Sequence, residues 1–115
     1  MANPVPAPQD DPFADRRAFP RVMVALPAFL QVNGERISIQ ILDLSAGGAK
    51  LNCAARVAVG AAVTLDCGTV GRSALVRWQN GDVIGICFDS ELDARVVAAL
   101  AERSSALAAW REARE

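Results

Sequence analysis

The side chains best equipped for chemistry are Arg16, Arg17 and Arg21, three guanidiniums within six residues, and the stretch Asp43-Leu44-Ser45-Ala46-Gly47-Gly48. An arginine is always charged, and its planar fork bonds a phosphate, or the Hoogsteen edge of a guanine, in bidentate fashion. Two forks spaced like Arg17 and Arg21 suit a nucleotide better than a bare phosphate. Pro20 holds Phe19 in extended backbone, so these arginines reach along a strand-like segment instead of stacking on a helix face. The second stretch offers a carboxylate, a hydroxyl and two glycines whose backbone admits positive φ and close approach. A carboxylate repels phosphate, so Asp43 either accepts from guanine N–H groups or holds an arginine in position. Taken alone, D-x-S-x-x-G equally describes a strand-to-strand turn with the aspartate as a local cap. Taken with the arginines, it reads as a site for a compact, multiply charged anion.

Composition narrows the chemistry further. The chain has no histidine and no tyrosine, which removes the Ser-His-Asp and Cys-His relays, the usual zinc sets and the commonest neutral-pH base. Catalysis is not expected. Cys53, Cys67 and Cys87 are odd in number, widely spaced and set in apolar contexts, as buried reduced thiols are. A net charge of −1 and a single lysine give no global field for nucleic acid or an anionic membrane, so any anion site must be local. No run approaches the roughly 18 apolar residues that span a bilayer, and prolines interrupt the start where a signal peptide needs an apolar run. The expectation is a cytoplasmic protein with no membrane insertion.

At 115 residues the chain is one domain, large enough to bury a core without staples. Prolines at 4, 6, 8 and 12 with three aspartates make residues 1–15 a flexible arm. Strands are expected over Val22–Val32, with Pro27 marking an edge or bulge, and over Glu35–Leu44, joined by Asn33-Gly34 as a type I′ hairpin turn. Further strands are expected over Ala49–Cys53, Ala61–Cys67, Arg72–Trp78 and Val83–Phe88, with Asn80-Gly81 as a second type I′ signal. In the fifth, Ala74, Val76 and Trp78 share one face. Short strands with turns at this spacing predict a closed or nearly closed antiparallel barrel. Ser90-Glu91-Leu92-Asp93 resembles a capping box, and Leu92, Val96, Leu100, Leu107 and Trp110 form the apolar stripe of a helix that most simply covers the barrel's open end, a partner interface being the alternative.

Arg17-Ala18-Phe19-Pro20-Arg21 matches R-x-x-x-R and Asp43-Leu44-Ser45-Ala46-Gly47-Gly48 matches [D/N]-x-S-x-x-G. In this order and separation, with a strand starting after the arginines and Gly85-Ile86-Cys87-Phe88 as a final apolar strand, residues 16 to about 90 resemble the PilZ domain family. The resemblance implies an all-β, six-stranded antiparallel barrel, followed by the C-terminal helix. It also implies a non-catalytic receptor for cyclic di-GMP, with no other cofactor. By motif position Arg17 and Arg21 contact guanine and phosphate, while Asp43, Ser45 and Gly48, with Gly47 beside it, line the other side. Arg16 sits where an arginine goes with binding a stacked pair of ligand molecules. Trp78, at the end of a late strand, either supports a guanine ring or closes the edge of the core. The expected division is an arm over 1–15, a barrel over 16–90 and a packed helix over 91–113. On ligand binding the arginine arm reorders and signals to an unnamed partner protein; the rival reading is a protein-interaction module on the same barrel that needs no nucleotide.

Overall fold

The computed structural model describes residues 21–68 and 70–114, so Arg16, Arg17 and the expected arm over 1–15 lie outside the described residues. Six strands succeed one another: β1 (Val22–Val32), β2 (Glu35–Leu44), β3 (Gly48–Asn52), β4 (Ala62–Asp66), β5 (Gly71–Asn80) and β6 (Val83–Phe88). A single helix, α1 (Ala94–Arg114), closes the described chain. The strands form a closed barrel in the order β1-β2-β3-β6-β5-β4, antiparallel at every step, as the all-β expectation had it. Closure gives every strand two neighbours, with the β1–β4 ladder limited to Phe29–Gln31, so the first part of β1 has no β4 partner.

Alternation in the sequence decides which side chains fill the interior. Leu26, Ala28 and Leu30 of β1, Ile39 and Ile41 of β2, Ala49 and Leu51 of β3, Val63 and Leu65 of β4, Ala74 and Val76 of β5, and Ile84 and Ile86 of β6 are all buried. Between them, Pro27, Phe29, Ser38, Ser73 and Leu75 point to solvent. Pro27 pairs with Gln40 of β2 just after a register shift between Met23 and Leu26, and it precedes the β1–β4 ladder, which begins at Phe29, so the residue without an N–H sits where β1 has no β4 partner.

The first hairpin turns at Asn33-Gly34, with φ of 52° and 82°, as a type I′ turn requires. The second does not turn at Asn80-Gly81. Asn80 pairs with Val83 inside the β5–β6 ladder, and the two-residue loop is Gly81-Asp82, left-handed at Gly81 only. Glycine at the first loop position is the type II′ solution, one residue later than the dipeptide signal implied.

Asp93, not Ser90, caps α1. Its main-chain carbonyl accepts from the Val96 and Val97 N–H groups at 2.9 and 3.2 Å, and its Oδ1 accepts from the Arg95 N–H at 2.8 Å. The buried stripe is also shifted: Leu92 lies before the helix, Val97, Leu100 and Ser104 are buried, Val96 and Leu107 are half-buried, and Trp110 is 58% exposed. Leu92, Val97 and Leu100 are continuous with the barrel core, and α1 packs against β1. Two long-range hydrogen bonds fix it there. The Ala25 N–H, inside the β1 bulge, donates to Ser104 Oγ at 2.9 Å, and Arg103 Nη2 donates to the Cys67 carbonyl at 2.7 Å.

Candidate functional site

The β2–β3 connection is tight because Ser45 ties it to itself. The Ser45 N–H donates to the Gly48 carbonyl at 2.9 Å, its hydroxyl reaches the same oxygen at 3.4 Å, and the Gly47 N–H donates back to Ser45 Oγ at 3.3 Å. The loop is then anchored to the end of β6 and the lead into α1: the Phe88 N–H donates to the Gly47 carbonyl at 2.9 Å and the Leu92 N–H to the Ala46 carbonyl at 2.8 Å. Ser45 is therefore a staple of the turn, and it is buried.

Neither glycine of the pair uses the left-handed backbone that the doublet would allow, since the glycines with positive φ are Gly34, Gly60, Gly68 and Gly81. Gly48 is needed for another reason. A Cβ built there would overlap the Ile86 carbonyl oxygen of the paired strand, so β3 and β6 meet at this point only because no side chain intervenes.

Asp43 is brought to the outer face by a second irregularity. Between Ile41 and Asp43 the β2–β3 register shifts, with Ile41 opposite Leu51 and Asp43 opposite Lys50, so Leu42 is the extra residue. Ile41 and Leu44 remain fully buried in the core on either side of it. The Asp43 carboxylate faces Arg21, the residue immediately before β1, whose Nη1 lies 3.6 Å from Asp43 Oδ2. Exposure of the two side chains is unequal, 51% for Arg21 and 6% for Asp43. The other oxygen, Oδ1, is buried and accepts no hydrogen bond among the described residues. The structure thus joins Arg21 and Asp43, residues twenty-two positions apart in the sequence, on one rim.

Trp78 belongs to the same side of the barrel. A register shift between Val76 and Trp78 takes it off the inward face shared by Ala74 and Val76 and leaves it 38% exposed. Its partner across the ladder is Gly85, and a Cβ on Gly85 would overlap the indole, so the ring lies over the glycine. Sequence alternation alone placed Trp78 inward, and a bulge is a tertiary event that alternation cannot signal.

Register places Lys50 between these groups, opposite Asp43 on one side and Gly85 on the other. Sequence reasoning did not single it out. The signal was present in the alternation Ala49, Lys50, Leu51, which makes Lys50 the outward residue directly after the glycine pair. Among the described residues no group of three or more cysteine, aspartate or glutamate side chains is placed to hold a metal ion. What the face offers instead is a cation, a buried acceptor, a second cation and an aromatic platform.

The model of the PilZ domain matches residues 15–104, which takes in the arginine cluster, the whole barrel and the first half of α1. A comparison with curated proteins finds no match. With the barrel closed as expected and the family model covering most of the chain, the protein belongs to the PilZ domain family, a family of cyclic di-GMP-binding domains.

Proposed function

We propose that this chain is a cyclic di-GMP receptor of the bacterial cytoplasm that signals by changing its surface and catalyses nothing. The observation that carries the reading is the Arg21–Asp43 pair at 3.6 Å, which sets the second arginine of R-x-x-x-R against the aspartate of D-x-S-x-x-G. In this reading Asp43 Oδ1, buried and without a partner among the described residues, accepts from guanine N–H groups, which supply what it lacks. Arg21 balances the carboxylate on one side and turns its exposed half to phosphate or to the guanine Hoogsteen edge. Arg17 supplies the other fork, Arg16 supports a stacked pair of ligands, and Trp78 supports a guanine ring. Ser45, Gly47 and Gly48 shape the rim.

Folding the arginine arm over the ligand costs about 2–5 kcal/mol of ordering. A ligand of roughly 45 non-hydrogen atoms, at about 0.3 kcal/mol per atom, leaves micromolar or tighter affinity after that cost. The ordered arm and rim then form the surface that a partner protein reads. The test is titration of an Arg21→Ala variant with cyclic di-GMP. A charge-assisted bond contributes about 1.5–3 kcal/mol, so affinity should fall by about tenfold or more. A variant that binds as tightly as its parent overturns the assignment.

A further inference from the structure

We infer that Lys50 selects guanine, by donating to O6 and N7 of a base stacked on Trp78; the inference rests on the cyclic di-GMP reading above. Asp43, Lys50, Gly85 and Trp78 are successive cross-strand partners on β2, β3, β6 and β5, so they form one row across the outside of the barrel. Ala49 and Leu51 on either side of Lys50 are buried in the core, which turns the lysine outward, where it is half-buried. Neighbouring strands lie about 4.8 Å apart. The indole occupies the space above Gly85, so its ring reaches toward the lysine across a single strand.

A base stacked on the open face of that indole presents an edge to Lys50, and beyond it to Asp43. The order of the two groups matches one base only. Guanine carries the acceptors N7 and O6 followed by the donors N1–H and N2–H, which meets a donor-only ammonium followed by an acceptor-only carboxylate. Adenine keeps the N7 acceptor but puts its N6 donor where O6 stands and an acceptor at N1, so the ammonium meets a donor in place of O6 and the carboxylate meets an acceptor. Among the described residues the ammonium is in no ion pair. The ion pairs of the described residues are Arg21–Asp43, Arg36–Asp66 and Arg95–Asp93, and none uses Lys50.

Calorimetric titration of the full chain and its Lys50→Met and Lys50→Arg variants, each with cyclic di-GMP and with the mixed cyclic GMP–AMP, tests this. A base-edge contact discriminates by about 1–3 kcal/mol, so K50M should weaken cyclic di-GMP binding about tenfold and narrow its preference over the mixed ligand. K50R, which keeps a donor able to meet O6 and N7, should retain both affinity and preference. Three outcomes overturn the inference: K50M binding cyclic di-GMP like the parent, K50M weakening both ligands equally as a phosphate contact would, or K50R losing as much as K50M. No binding by the parent protein is a different failure, because it removes the receptor reading and this assignment with it.

Discussion

Gly48 and Gly85 both lack room for a Cβ, yet they are obstructed by different things, and their substitutions should behave differently. At Gly48 the obstacle is the Ile86 carbonyl, part of a backbone that cannot turn aside without breaking the β3–β6 ladder. At Gly85 it is the Trp78 indole, a side chain that can rotate into solvent. Overpacking typically costs about 1–3 kcal/mol, so Gly48→Ala should sit at or above that range in denaturant unfolding and Gly85→Ala at its lower end. Gly85→Ala should nevertheless weaken cyclic di-GMP binding, since the platform moves, and should red-shift the fluorescence of the displaced tryptophan. Equal stability of the two variants would contradict the distinction. The need for glycine at 48 was legible in the doublet Gly47-Gly48, but its reason was not, because close approach of a distant strand is written in the register and not in the dipeptide.

Cys67 offers a test by pH. Burial pushes its thiol above the ordinary value of 9.0, with Arg103 pulling part of the way back and Asp66 adding to the rise. A folded-state value above the unfolded one means that the folded protein holds this proton more tightly. The associated stability is complete below about pH 9 and declines as pH rises from there through the folded value. Unfolding midpoints should therefore fall on the alkaline side in the parent, and fall less in Cys67→Ala, whatever the offset between the two at neutral pH. Identical alkaline slopes would sink the claim.

At the scale of elements, α1 is held to the barrel by few but specific polar contacts, and the Ser104 hydroxyl is the one that meets the β1 bulge. Ser104→Ala removes the acceptor of the Ala25 N–H and should cost about 1–3 kcal/mol in denaturant unfolding. A change under about 0.5 kcal/mol would show that the N–H finds another partner. The strands themselves were legible because a half-buried strand must alternate, and Ile37, Ile39 and Ile41 do so without interruption. The bulges at Leu42 and before Trp78 were not, since an inserted residue changes face without changing composition. The helix start was ambiguous for a physical reason: Ser90 and Asp93 are both good caps. The choice falls to Asp93 because the Leu92 N–H is already committed to the Ala46 carbonyl and Ser90 Oγ accepts from Arg72 Nη1 at 3.1 Å, which hold residues 90–92 out of the helix.

At the scale of the whole molecule, the closed barrel turns scattered motif residues into one face. Closure sets β2, β3, β6 and β5 side by side, so the Asp43 turn, Lys50 and the Trp78 platform become neighbours although Trp78 is thirty-five residues from Asp43. The same β2–β3 turn accepts hydrogen bonds from Phe88 and Leu92, so the rim of the site is continuous with the lead into α1. A ligand held by Asp43 would therefore press on the segment that positions the helix. No helix among the described residues is long and apolar enough to cross a membrane. The pair of motifs was legible in the sequence; the row that joins them was not, because it exists only once six strands are in register.

The most direct measurement is calorimetric titration of the intact protein with cyclic di-GMP. The account predicts saturable heat with a dissociation constant of about one micromolar or below. A flat titration with folded protein at concentrations well above that value would contradict it.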